Sequence, residues 1–446
     1  MPENPDPSPK PENPGRSLGA LLRRMRMDLS PLRDSRDFRL LFGSGVIGMF
    51  GTFLTLVAVP LQMKQLTDSP LAVGLVSAAE FVPMVVCGLW GGAIADALDR
   101  RKIILYTEVG LCLTVTILLV NALLPEPRVW VLYVVGAMSA GFGSLQRPSL
   151  ESLMPRVVRH DQLAAAAALG AFRWNLGAII APGLSGLIAA AYGVAAAYAI
   201  NVATFLASLV LLWLVKAPPQ AEDASPASIR SMVEGVRYAA GRPDLMGTYL
   251  VDVAAMVFAF STALYPFLAD QVGSPESLGL FYSAAAVGSL IASVTSGWTG
   301  HVHRHGLGVI VAALVWGIAV ALAAVMPNMW GILAFFALAG AADMISGVFR
   351  ATIWNQTIPD SYRGRLAGIE LLSYTSGPML GNARAGLMDH LGGTRFSLGA
   401  GGLLCVGAVV ALAGLLPKFR DYDARTDEHA VRERARREEL ARATAS

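Results

Sequence analysis

Charge is scarce in this chain: Asp, Glu, Lys and Arg make up 15% of its 446 residues, whereas a soluble domain carries about 25%. A protein with so little charge cannot cover itself against water, which excludes a soluble enzyme or binding module. Cysteine is scarcer still. Cys87, Cys112 and Cys405 fall inside apolar runs without metal-ligand spacing, so they read as small hydrophobes and imply neither a disulfide framework nor a metal centre. There is no strand-linked phosphate loop, no nucleophile elbow and no His-Glu-x-x-His helix. The chain is therefore expected to be no enzyme, to take no cofactor and to bind no nucleotide. Nucleic acid is excluded by distribution, because the basic clusters lie between apolar spans rather than on one face.

What the sequence has is length of hydrophobic run. Hydrophobic residues form 54% of it, and a bilayer core about 30 Å thick needs about 20 of them per helical crossing, with every backbone amide paired inside the helix. Twelve such runs predict an all-α, polytopic membrane protein: 38–63, 71–95, 103–124, 130–153, 163–192, 195–215, 245–269, 278–299, 307–325, 330–355, 366–390 and 396–416. Alternate connections differ in charge. One set holds Arg100, Arg101, Lys102, Arg156, Arg159, Arg230, Arg237, Arg242, Arg304, Arg363 and Arg365, while the other offers only Lys64, Arg128 and Arg395. By the positive-inside rule the basic connections and both termini are cytoplasmic, as an even number of spans requires.

The organisation is bipartite. Residues 1–37, opening "MPENPDPSPKPENPGRS", read as a largely disordered tail unlike a cleavable signal peptide, and 417–446 as a basic tail. Residues 216–244 divide two bundles, 38–215 and 245–416, and combine a Pro- and Ala-rich linker with a weakly amphipathic helix. The halves echo each other: "QRPSLESLMPRVVRHDQL" parallels "FRATIWNQTIPDSYRGRL", with Pro155 and Pro359 in equivalent places. Two six-helix repeats about a midplane site form the architecture of a secondary transporter.

One stretch, "GGAIADALDRRK", ends an apolar run in two acids and three bases. Asp96 and Arg100 are four residues apart on one helical face at the membrane boundary, where a carboxylate and a guanidinium can hold neighbouring helix ends. With Gly92 and Arg101 they resemble the signature between the second and third helices of the major facilitator superfamily, except that Asp99 stands where glycine is usual. The resemblance implies a latch between the halves, for which Glu151 is the expected partner of Arg100. "GAIIAPGLSG", with Gly177, Pro182 and Gly186, is similar to the small-residue signature of exporters in that superfamily. "LAGAADMISGVFRATIWNQTIPDSYRGRLAGIE" and "GPMLGNARAGLMDHLG" resemble its branch of siderophore and macrolide exporters. What this implies is a monomeric, proton-coupled antiporter of the bacterial plasma membrane that exports a siderophore or another bulky small molecule. The competing expectations are a multidrug or macrolide efflux protein, or a non-transporting sensor of the same fold.

Charges inside the spans rank the residues. Each costs about 2.5–3.5 kcal/mol at the bilayer centre on insertion scales and therefore faces a partner or a cavity. Asp252, Asp343 and Glu80 are the candidate proton carriers, acids whose burial and cationic neighbours can alternate. Arg173, Arg350, Glu370, Arg384, Trp174 and Tyr265 are the candidate cavity residues, Arg173 being suited to acidic oxygens on a cargo. His301, His303 and His305 are expected in a solvated loop rather than on a metal.

Overall fold

The computed structural model describes residues 28–97, 99–216, 234, 237–273 and 277–445; the side chains of 89–97, 360–361, 363–365, 367–372, 440–441 and 443–445 lie outside the description. Among the described residues it is helical throughout. The helices are α1 Arg36–Thr67, α2 Pro70–Ala97, α3 Arg100–Leu123, α4 Val129–Val157, then the 52-residue Leu163–Leu214, whose limbs either side of Gly193 are α5 and α6. They continue with α7 Pro243–Ala259, α8 Leu278–Thr295, α9 His305–Val325, α10 Met329–Thr357, α11 Asp360–Gly392, α12 Thr394–Leu415 and a polar α13 Glu428–Ala445. Among the described residues ten segments are long and apolar enough to cross a bilayer, one of them comprising both α5 and α6, and α11 is long enough to add another. The arrangement is consistent with twelve crossings. The predicted runs coincide with these helices to within a few residues at most ends, because about 20 apolar residues are both the ruler of a bilayer and the body of each helix.

Backbone repeats mark the two halves. Gly193 turns α5 into α6 at φ 80°, ψ 170°, and Gly393 turns α11 into α12 at φ 84°, ψ 171°. Only glycine adopts that region without strain. The starts of α2 and α8 share the pattern "SP…GL", and Gly74 and Gly279 do equivalent work: Gly74 lies against Asn382 and Gly386 of α11, Gly279 against Pro182, Gly183 and Gly186 of α5. No β-carbon fits at either crossing. The exporter-like glycines thus serve close packing between halves, with Gly177 separately making room for Met49 of α1.

These crossings, α2 with α11 and α5 with α8, close the face opposite the basic loops, here called the far face. Lys64, near the end of α1, adds an ion pair with Asp270 and donates to the Pro266 carbonyl at 3.1 Å. The basic face is organised differently. Ser35 caps α1, accepting from the Phe38 amide at 3.1 Å and donating to the Val157 carbonyl at 2.6 Å. Asp99, in the position where glycine is usual, caps α3 by accepting from the Arg101 amide at 2.9 Å.

The seventh crossing is not one helix. After α7 the chain unwinds through Phe260 and Ser261, makes a 3₁₀ turn at Thr262–Leu264 and restarts as the short helix Tyr265–Gln271. Pro266, in the first turn of that restart, has no amide hydrogen to continue the earlier ladder. The C-terminal tail is also ordered: Phe419 and Tyr422 are buried, Tyr422 donates to Gln356 at 3.1 Å, and Arg437 of α13 donates to the Asn355 carbonyl at 2.7 Å. His305, expected in solvent, is instead 5% exposed, bonded to the Val302 carbonyl and stacked on Phe349. No His, Cys, Asp or Glu group able to hold a metal occurs among the described residues.

Candidate functional site

A cavity of about 650 Å³ runs from the basic-face ends of α1, α4, α5 and α6, where Phe38, Met154, Ala166 and Leu212 line it, to mid-membrane. Its wall comes from all six helices of the first half. The second half contributes the deep end: Thr262 and Ala263 from the unwound segment, Tyr282 from α8 and Asn382 from α11.

Arg173 enters this cavity from α5. Its guanidinium sits in the space beside Gly45, where any β-carbon would collide with it, and lies 5.8 Å from the centre of the Phe42 ring. Its Nε is buried without a hydrogen-bond partner among the described residues. Trp174, the next residue, lines the same wall with its ring 6.0 Å from Phe53. Glu80 reaches the cavity from α2. Glu151 also lines it, but its partner is Arg147, one turn earlier on α4, at 3.0 Å. That intrahelical pair replaces the expected Glu151–Arg100 contact, since i and i+4 meet without any rearrangement between helices. Arg147 in turn donates to the Tyr374 hydroxyl of α11 at 2.5 Å, bridging the halves. Arg101 donates to the Trp213 carbonyl at 2.6 Å. Gly92 and Asp96 belong to the last turns of α2, and the Asp96 side chain lies outside the described residues, as does Glu370.

One acid in the cavity escaped the sequence reading. Glu108 of α3 is 4% exposed, lines the cavity and accepts from Gln146 Nε2 at 2.6 Å. Its signal was present, a carboxylate five residues into an apolar run beginning at Ile103.

The other predicted charges form a second centre, in the other half and away from the cavity lining. Arg350 of α10 is ion-paired to Asp252 of α7 and lies 3.8 Å from Asp343, one carboxylate 5% and the other 38% exposed. Ser373 of α11 donates to the second oxygen of Asp252 at 3.2 Å. Two acids thus share one guanidinium, with Asp252 holding it and Asp343 within reach.

Two expected cavity residues do other work. Arg384 donates to the carbonyls of Val257 and Phe260, where α7 breaks, and to that of Ser397 in α12, each at 3.2 Å. Asn382 completes that support, accepting from the Ala263 amide at 3.0 Å and from Thr262 at 3.1 Å while donating to Ser77 of α2 at 3.3 Å. Tyr265 is buried in an aromatic cluster with Phe281, Tyr282 and Phe336.

Paired six-helix halves, a broken seventh span and a cavity reaching one face define a secondary transporter, not an enzyme. The chain belongs to the transmembrane secretion effector family of the major facilitator superfamily, whose family model matches residues 27–443. It is similar to the enterobactin exporter of Shigella boydii, 32% identical over 413 residues, which span 88% of this chain and 96% of the relative. In fold it is similar to the nucleoside transporter NupG (D323A mutant), with TM-score 0.70, 12% identity and 86% and 100% of the two chains covered. It also resembles a bacterial homologue of the iron transporter ferroportin in an inward-facing state, with TM-score 0.66, 16% identity and coverage of 86% and 98%. The twelve-run reading and the exporter resemblance agree with these relationships.

Proposed function

We propose that the protein is a proton-coupled antiporter of the bacterial plasma membrane that loads a bulky natural product of siderophore type from the cytoplasm and releases it outside. The observation that carries the reading is the 650 Å³ cavity, which reaches the basic face while α2–α11, α5–α8 and the Lys64–Asp270 pair close the far face. The basic face is cytoplasmic by the distribution of Arg and Lys. Similarity to an exporter of enterobactin supports a cargo of that size. Asp252 and Asp343 around Arg350 act as the proton switch, with Glu80 as a third titrating acid. Asp96, Arg100 and Arg101, with Gly92 in the signature, act at the latch on the cytoplasmic side. A single copy contains every part of this mechanism.

The test uses the full chain in proteoliposomes with an imposed pH gradient. Uphill movement of enterobactin is expected in the intact protein, while Asp252→Asn and Asp343→Asn each retain exchange down a cargo gradient and lose the uphill component. Undiminished uphill transport driven by the pH gradient in both variants would remove the switch. Transport of lipophilic antibiotics without any movement of enterobactin would favour multidrug efflux instead.

A further inference from the structure

A second hollow, of about 470 Å³, opens on the basic face of the first half and plays no part in the mechanism above. It lies where three crossings end. Arg36 begins α1, Arg156 stands in the last turn of α4, and Lys216 follows α6. None of these three side chains has an ion pair or a hydrogen bond among the described residues. The other charges of the lining are engaged: Asp34 accepts from Gln162 Nε2 at 2.6 Å, Asp37 accepts from the Lys216 amide at 3.3 Å, and Arg159 pairs with Asp161 at 3.1 Å. Four bases against two acids leave the hollow positive.

Gln162 gives a second, independent sign. It lines the same hollow at 5% exposure, and with Nε2 fixed on Asp34 its Oε1 is buried without a hydrogen bond among the described residues. A buried acceptor left unpaired is costly and calls for a donor. Depth is set by Trp213, three residues before Lys216, which is 65% exposed; an exposed indole at the end of a crossing sits at headgroup level. Free bases, an orphaned acceptor and the headgroup layer thus coincide.

We propose that this hollow binds the headgroup of an anionic lipid from the leaflet that the basic face meets, a phosphodiester that carries a hydroxyl. The phosphate takes Arg36, Arg156 and Lys216, the guanidinium forks matching its oxygens, and the hydroxyl donates to Gln162 Oε1. A choline head suits neither need, since it brings no net negative charge and no hydrogen to donate. The site has a consequence for the cavity mouth. Phe38, Met154 and Leu212, which line the cavity at this face, are within four residues of Arg36, Arg156 and Lys216, so one headgroup ties the ends of α1, α4 and α6 there.

Three short-chain lipids separate the two interactions: dioctanoyl phosphatidylglycerol with phosphate charge and hydroxyls, dioctanoyl phosphatidylethanol with the charge alone, and dioctanoyl phosphatidylcholine with neither. Each is titrated into the full-length protein in neutral detergent, and bound lipid is counted by native mass spectrometry. On the unmutated protein, which needs no variant to fold, phosphatidylglycerol is expected to bind about tenfold more tightly than phosphatidylcholine, as two or more bases beside a phosphate give. Phosphatidylethanol should fall between them, about threefold weaker than phosphatidylglycerol. Arg156→Gln with Lys216→Gln should bring phosphatidylglycerol down to the phosphatidylcholine level, while Arg432→Gln with Arg436→Gln, on exposed positions of α13, should leave the order intact. In Gln162→Met the two anionic lipids should bind alike. Glycerol 1-phosphate, with phosphate and hydroxyls but no chains, should displace phosphatidylglycerol poorly; displacement at equal concentration would overturn the lipid assignment in favour of a soluble phosphate ester. Equal binding of phosphatidylglycerol and phosphatidylcholine to the unmutated protein, or equal losses in the two double variants, would overturn the site itself, and phosphatidylethanol binding as tightly as phosphatidylglycerol would contradict the part given to Gln162.

Discussion

The two halves share a backbone plan and differ in where they put charge. The first half leaves Arg173, Glu80 and Glu108 lining the cavity, whereas the second half buries Asp252 and Arg350 as an ion pair with the half-exposed Asp343 beside them. Their helices also differ at one homologous point: α1 runs unbroken through Pro60 to Thr67, and α7 stops at Ala259 before restarting at Tyr265. Duplication fixes the crossings, such as Gly74 on Gly386 and Gly279 on Gly186. The halves then diverge through side chains, the first lining most of the cavity and the second holding the Asp252–Arg350–Asp343 centre.

The comparison is most sharply tested where charge is packed. Arg350→Met strands Asp252, and breaking a buried pair by removing one partner costs about 3–5 kcal/mol. A large drop in unfolding temperature is expected in detergent, with much of it recovered in the Asp252→Asn, Arg350→Met double variant. Arg173→Met, which removes a charge that has no acid partner among the described residues, should leave stability within about 1 kcal/mol; equal losses in the two halves would erase the distinction. Arg384→Met removes the donor from two carbonyls at the α7 break and one in α12 and is expected to destabilise by roughly 2–3 kcal/mol, since buried unsatisfied groups cost about 1–3 kcal/mol each and water reaches some of them. Gly193→Ala and Gly393→Ala probe the symmetry itself. Each forces a β-carbon into a glycine-only conformation, at about 1–3 kcal/mol, and the two losses should match. The smallest effect belongs to Lys64→Met. Asp270 is 57% exposed, so the pair contributes about 1 kcal/mol or less. Its loss should raise labelling of far-face cysteines about fivefold at most.

The sequence carried most of this architecture because bilayer thickness, helix rise and loop charge are one-dimensional quantities. Even the turn at Gly193 was visible as a gap between two apolar runs. The separation of the cavity from the Asp252–Arg350–Asp343 centre was not. Asp343 and Arg350 are seven residues apart and share a face, yet which neighbour that face meets depends on how α7, α10 and α11 pack. The break in α7 had only Pro266 to announce it, and without that break Arg384 reads as a cavity residue rather than a support for exposed carbonyls. Glu151 was assigned a distant partner because the latch resemblance favoured Arg100, when the nearer Arg147 satisfies it within one helical turn. Glu108 was legible and overlooked; Glu80 was recognised as an acid, but its lack of a partner among the described residues is a three-dimensional fact.

The most direct measurement places one thiol in the hollow. Thr52→Cys lines the cavity on α1, and with Cys87, Cys112 and Cys405 replaced by Ala it is the sole target for a charged, membrane-impermeant reagent. Without a proton gradient, vesicles exposing the basic face should be labelled rapidly, vesicles exposing the far face slowly, and enterobactin should protect the thiol. Equal labelling from both faces, or rapid basic-face labelling that no cargo slows, would contradict a seat shared between halves and loaded from the basic side.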